Sequence, residues 1–596
     1  MAAPKVITKF FNKKIADAVQ KEFSSNVYYF ALSKHSEWTD EPKPDLAYNT
    51  TEAINNFHRE MILGKRIRAA DVAPLIKRHF WTSNTVYAQY DDTDGDLYEK
   101  EFYVVNGSEQ VYKCLFNNNG AKSTIEPTTV SSNKFQTADG YIWKYMYSIS
   151  SANNTKFSTG TFIPVDTNTS VVSAASNGSI DIIFISNTGT NYRGYITGSI
   201  AEVLSNTLFK IESTSDLSSE NFFYNTSSFY ITDGTGEGQL TTISNYSVNS
   251  SGHYVTTSSQ LNSPVLDLTS NYRIAPQIKI QGDGTGATAV CTVNTISNSF
   301  FIETVDVLTP GQNYSYANVT VVSNPLYGSN AVLRAVIPPK GGHGADSATE
   351  LGCSELGISL FFNNSEFSSI STDVPFRQVS VISIPYKYEA PPAYRSFNAL
   401  SAVSNTNDTI TFTDANTYFK VGDVVTYVTA TGNVAISGLS NNDTYYVVQS
   451  NTTTVQLSLT YEGSAINLTA GINETGHSLY TTNRYYSNTF NALTYLNISS
   501  TSGTFIRNEY VVGSTSSAKA RIAFANSTIV KVSYATGTFA NGEVVSGESS
   551  QATATISSIN NPDIQPFTSS VLYLNNIEAI TRSDSEFEQT YMILTV

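Results

Sequence analysis

Tyr141, Trp143, Tyr145 and Tyr147 occupy alternate positions in the stretch DGYIWKYMYSIS at 139–150. A strand repeats its side-chain direction every two residues, so this spacing predicts four rings on one face. Such a face can stack on sugars, close a buried seam or meet a partner protein. Alternating aromatics are favoured on half-buried pleated surfaces, and Tyr and Trp are also enriched at interfaces. Composition leaves those readings open.

The acidic run DDTDGDLYEKE at 91–101 is the strongest metal candidate. Set as a calcium loop, Asp92, Asp94, Gly95, Asp96 and Glu101 fall at positions three, five, six, seven and twelve. Position one is then Tyr90, which carries no carboxylate, so a solvated hairpin turn between YAQY and FYVV is the better reading. The glycine clusters DGTGEG (233–238) and GDGTGATA (282–289) lack the strand, helix and GK[ST] of a phosphate loop and read as turns in β repeats. His343 stands in PPKGGHGAD (338–346) with no GxSxG serine nearby. His35, His58, His79, His253 and His477 are scattered, without HxH or HExxH spacing for zinc. Cys114, Cys291 and Cys353 have no CxxC spacing and read as small buried residues in a reducing cell. These patterns select no catalytic, cofactor or metal residue, and they leave a catalytic function open.

The elements that must position these residues are mostly strands. A chain of 596 residues suggests about four domains and buries roughly three quarters of its unfolded surface without staples. Helical signal is confined to the first eighty residues. Phe11, Ile15, Val19 and Phe23 share one helical face; a second helix begins near Asn49, with Glu52 as a start signal and Ile54, Phe57 and Met61 on one side. The rest alternates Thr, Val, Ile, Tyr and Phe with turns of Asn, Ser, Gly and Asp. The predicted class is α+β, β-dominated and multi-domain. A net charge of −15 argues against nucleic acid, which selects basic surfaces. No segment approaches the ~20 apolar residues of a membrane helix, and no secretory h-region precedes the first helix, so the chain is expected to be made in the cytoplasm.

Two internal repeats punctuate the chain. IDIIFISNTGTNY (180–192) is similar to IETVDVLTPGQNY (302–314), with GTGATAVCTV (284–293) and YGSNAVLRAV (327–336) as a further pair. GTFIRNEYVVGSTSSAKARI (503–522) and GTFANGEVVSGESSQATATI (537–556) match at ten of twenty positions, 34 residues apart.

Several stretches, in order, resemble one family. They are FHREMILGKRIRAADVAPLIKRHFWTSNTVYAQYDD (57–92), VYKCLFNNNGAKSTIEPT (111–128) with the aromatic stretch and TFIPV (161–165), LGISLFF (356–362) with PFRQVSVISIPY (375–386), and SSVLYLNNIEAITRSDSEFEQTYMILTV (569–596). Together they are similar to the baseplate wedge subunit of T-even-type contractile-tailed phages, the homodimeric protein of the outer wedge. The resemblance covers 1–165, 346–395 and 563–596, and the intervening blocks depart from the family pattern. The GxNY, GTGATA and PPKGGHG phrases resemble modules of tail proteins in T-even-like phages of marine cyanobacteria.

The resemblance implies a mixed baseplate core carrying inserted antiparallel β-sandwich or β-repeat domains. The expected order is core (1–165), β-repeat module (166–345), core strands (346–395), inserted β domain (396–485), tandem repeats (486–562) and returning strands (563–596). It also implies a virion protein of the tail baseplate, not an enzyme and needing no cofactor, that pairs with itself and with other wedge subunits, without membrane insertion, and helps transmit the contraction trigger. The alternative is a receptor- or glycan-binding tail protein, reaching a tail fibre or the host surface through the insertions. A polysaccharide-degrading β-helix would need evenly spaced coils throughout, which the unequal repeats do not provide.

Overall fold

The computed structural model describes residues 9–214, 216–294, 300–322, 328–362, 374–389, 394–413, 417, 419–481, 483–581 and 588–595. Residues 1–8 of the amino-terminal reading and 582–587 of the closing stretch lie outside the described residues. The fold is β-dominated, with 45% strand and 9% helix, as the alternation predicts. No helix among the described residues is long and apolar enough to cross a membrane. The chain divides into two compact units, one made of Met1–Ala16, Pro74–Glu355 and Thr595–Val596, the other of Asp17–Ala73 and Leu356–Leu594.

The first unit contains the aromatic stretch. Strand Ile142–Ser148 lies between Gln110–Phe116 and Phe135–Gln136, and Tyr103–Val105 completes an antiparallel sheet. Three helices beyond residue 80 depart from the expectation: Ser151–Phe157, Thr169–Ala174 and Ser347–Glu350. Each is short and starts at a side-chain cap, Ser150, Asn168 or Asp346, so local capping makes them without a long apolar period.

The GxNY repeat folds as two interlocked copies. Ile183–Thr190, Gln277–Gly282 and Thr285–Asn294 form one copy; Phe301–Gln312, Ala317–Val322 and Ser329–Ala335 form the other. Every strand pairs with the opposite copy: Ile183–Thr190 with Ser329–Ala335, Gln277–Gly282 with Ala317–Val322, and Thr285–Asn294 with Phe301–Gln312. The repeat tyrosines lock the exchange. The Tyr192 hydroxyl accepts from the Ala331 amide at 3.2 Å, and that of Tyr314 from the Ala287 amide at 3.4 Å. Inside the first copy, between its first and second strands, a closed six-stranded barrel runs from Ile196–Val203 to Asn271–Ala275.

In the second unit, five antiparallel strands run in the order Thr489–Asn491, Met61–Ile67, Tyr28–Ser33, Phe376–Ser383 and Val571–Ile580. The expected second helix is Thr51–Arg59, capped by the Thr50 side chain on the Ala53 amide. Phe57 is buried as expected, but Met61 opens the next strand because the helix stops at Arg59. In the first helix, Lys9–Ser25, Phe23 is buried while Phe11 is exposed. Residues 394–481 form a seven-stranded sheet.

The tandem repeat closes a second six-stranded barrel. Tyr510–Gly513 of the first copy pairs antiparallel with Val544–Gly547 of the second, and Thr494–Ser502 pairs with Ile529–Val532. Each copy caps the other. Glu509 accepts from the Ser549 and Ser550 amides at 2.9 and 2.8 Å and from the Ser550 hydroxyl. Glu543 accepts from the Thr515 and Ser516 amides at 3.2 and 3.0 Å and from the Ser516 hydroxyl.

Candidate functional site

The aromatic strand is sealed on both faces. Tyr141, Trp143, Tyr145 and Tyr147 are all buried, but only the first three share a cluster, with Tyr87, Val104, Tyr112, Cys114 and Val171. Tyr141 stacks on Trp143 with centroids 5.4 Å apart, and Tyr145 packs on Tyr112 at 5.6 Å. Tyr147 packs in the other cluster with Met146, Val111 and Tyr103. The expectation of one four-ring face is therefore corrected. Val111 faces Tyr147 and Tyr112 faces Tyr145, so Met146 is an extra residue, a β-bulge that turns Tyr147 over.

The hydroxyls serve the fold. Tyr141 donates to the Ala121 carbonyl at 2.5 Å, and Tyr145 bonds Ser148 at 2.7 Å. The Trp143 indole nitrogen and the Tyr147 hydroxyl find no partner among the described residues. Each such group costs about 1–3 kcal/mol, which ring burial outweighs. With no open face, these rings offer a sugar nothing to stack on.

Beside the rings lies an arrangement that the sequence reading missed. Lys113 and Lys144 are buried and directly opposite on neighbouring strands, an unfavourable pairing of like charges. Glu350 forms a buried ion pair with Lys113, and the Ser132 carbonyl accepts from Lys144 at 2.6 Å. The PPKGGHGAD loop supplies the rest: Glu350 also accepts from the Gly344 amide at 2.7 Å and the Asp346 amide at 3.2 Å. Gly342 has φ +97°, and a Cβ there would stand 2.3 Å from the Ser176 carbonyl oxygen, which is why glycine occupies this turn. His343 is buried edge-on to Tyr90, with centroids 4.9 Å apart. Burial, then the ammonium groups of Lys113, Lys144 and Lys134, push its pKa well below the ordinary value. Burial likewise lowers Lys113, opposed by Glu350. The His343 Nδ1 finds no hydrogen-bond partner among the described residues. The available signal was a lysine inside each of two apolar strands, YKCLF and YIWKYMY.

The acidic loop is held by cations of the chain itself. Arg334 spans Asp91 and Asp92 at 2.7 and 2.8 Å, and Lys100 reaches Asp94 at 2.5 Å. Asp96 donates its amide to the Asp94 carboxylate at 3.1 Å, and a short 3-10 turn, Leu97–Glu99, follows. Glu101 is drawn to His79 at 3.3 Å. The expected hairpin is corrected: residues 87–90 form no strand, because Tyr87 and Tyr90 are buried side chains in an irregular segment.

The three cysteines are free and buried, and burial raises all three thiols, Cys291 and Cys353 to about 12. Of the remaining histidines, His35, His58 and His477 are buried. The glycine cluster at 233–238 stands at a turn between strands, but in 282–289 only Asp283 and Gly284 make the turn, and Gly282 and residues 285–289 belong to the flanking strands, which corrects the expectation of a turn there. Among the described residues no three His, Cys, Asp or Glu side chains are grouped to hold a metal ion. No protein-family model matches this chain, and no curated protein matches it either.

Proposed function

We propose that this chain is a structural subunit of a phage tail baseplate, similar to the homodimeric outer-wedge protein of T-even-type phages. On this reading it is not an enzyme, resides in the virion, pairs with a second copy and joins other wedge proteins. Its interfaces hold one form of the baseplate and rearrange on triggering, which needs two arrangements separated by a few kcal/mol. The ordered resemblances motivate the reading. The observation that carries it is the sealed aromatic sheet: the residues best suited to ligand chemistry are spent on packing. Cross-linking mass spectrometry on intact phage tails tests it. Links from both the wedge-like and the inserted segments to wedge proteins are expected; absence from the tail, or links to fibres alone, would overturn it.

A second reading, a glycan- or receptor-binding tail protein, is favoured by one observation. Tyr394 and Tyr480 stand directly opposite each other on neighbouring strands of the 394–481 sheet, 64% and 36% exposed. Exposed rings beside Ser and Thr suit sugar stacking. Binding of host surface polysaccharide, lost in the Tyr394→Ala, Tyr480→Ala double variant, is the expected result on that reading. Equal retention by both proteins would remove it.

A further inference from the structure

Lys113 and Glu350 meet in the interior of the first unit, with side chains 0% and 2% exposed. Val111 and Leu115, two positions to either side of Lys113, belong to one apolar cluster with Tyr90, Met146 and Leu351, the residue after Glu350. Lys113 Nζ bonds Glu350 Oε2, one bond from the carboxyl carbon, and lies 5.2 Å from the Tyr90 ring centroid. The other carboxylate oxygen, Oε1, accepts from the Gly344 and Asp346 amides at 2.7 and 3.2 Å. Gly344 has φ +96°, and a Cβ there would stand 2.5 Å from Val171 Cγ1, so glycine keeps that amide in place. Burial favours the neutral amine of Lys113 over its ammonium, against the pull of Glu350.

We propose that Lys113 and Glu350 condense into an intramolecular amide, releasing one water. One proton passes from Nζ to Oε2, giving an amine and a carboxylic acid. The Nζ lone pair then attacks Cδ, and negative charge develops on Oε1, where the two backbone amides already donate. A second Nζ proton moves to Oε2, the Cδ–Oε2 bond breaks and water leaves. An ammonium and a carboxylate become an amide and water, with no oxidant, reductant or outside proton donor. Fixed neighbours of this kind reach effective molarities of about 10⁵ M or more, and the product removes two buried charges. The bond ties strand Gln110–Phe116 to helix Ser347–Glu350 across 237 positions, so the repeat module between them begins and ends at covalently joined sites. The proposal stands whether or not the baseplate reading does.

The test is intact-mass spectrometry of the purified full chain, held folded at neutral pH and then unfolded in denaturant, followed by proteolysis and fragment sequencing. The expected mass is one water below that of the sequence. A branched peptide should join Lys113 to Glu350, and trypsin should not cut after Lys113, whose amine is then acylated. Lys113→Arg keeps a cation beside Glu350 but is expected to show the full mass and no branched peptide. A wild-type chain of full mass, cut after Lys113, would overturn the proposal. An aspartate that closes on its own backbone also loses one water. A deficit that persists in Lys113→Arg, or that maps to an unbranched peptide, would identify that reaction and overturn the proposal equally. The branched peptide is read on the wild-type chain, so the outcome does not depend on the variant folding.

Discussion

The two duplications of this chain interlock through different groups and end in different states. The 494–560 barrel exchanges carboxylates: Glu509 caps the Ser549–Ser550 turn and Glu543 the Thr515–Ser516 turn. The module built on 183–335 exchanges phenols, Tyr192 to Ala331 and Tyr314 to Ala287. The barrel closes through a continuous ladder, whereas in the module Ile183–Thr190 and Phe301–Gln312 are joined by backbone hydrogen bonds near their ends, from the Ile180 amide to the Pro310 carbonyl and from the Tyr192 amide to the Phe300 carbonyl. Duplication supplies complementary halves in both; they differ in how fully the ladder closes.

The largest effect that would sharpen this contrast comes from the glutamates. Glu509→Ala with Glu543→Ala leaves both turns without acceptors and should cost about 2–3 kcal/mol per site, adding because the sites are separate. Hydrogen exchange should then speed up across 494–560 and not across 183–335. Uniform exchange in both regions would break the comparison. Acid should act in the same direction. Burial raises the pKa of Glu509, but hydrogen bonds from Ile506, Ser550 and Ser549 outweigh it and hold the group below 4.5. The caps are therefore fully stabilising above about pH 4.5 and weaken as pH falls through the lowered value.

Trp143→Ala in the unduplicated aromatic sheet is the benchmark, with an expected loss of about 3–5 kcal/mol in thermal or urea unfolding. A fully stable variant would contradict the packing described for that sheet. Next in size is the anchor of the barrel. The His35 Nδ1 lies 3.2 Å from Asn508, beside Glu60, Lys34 and Arg521, and burial lowers its pKa from 6.5 to about 4. A depressed histidine pKa keeps the fold neutral while the unfolded chain protonates. Stability is therefore complete above pH 6.5 and declines toward pH 4, by about 3 kcal/mol. A pH-melting series should show the decline, and His35→Gln should flatten it. The smallest effect, about 1 kcal/mol each, is expected for Tyr192→Phe and Tyr314→Phe, which remove one hydrogen bond apiece. Local exchange at Ala331 and Ala287 would report it.

Much of the fold was legible locally. Strand dominance follows from the alternation of β-branched and aromatic residues with turn formers, and the helix at Thr51 follows from its cap and Glu52. Both duplications could be read as repeats because their turns demand the same residues twice. The candidate site was less legible. The aromatic spacing announced burial or contact, but neither Lys113 nor Lys144 announced a partner, since Glu350 arrives from a short helix more than 200 positions away.

By itself the sequence determined periodicity, turns and caps, which depend on neighbours within a few positions. Tertiary structure decided the face of Tyr147, because a one-residue bulge reverses side-chain direction and is set by the register with Gln110–Phe116. It also decided that each repeat pairs with the other copy: Thr285–Asn294 meets Phe301–Gln312 as a hairpin, but Ile183–Thr190 meets Ser329–Ala335 across more than a hundred residues, which leaves no local signal.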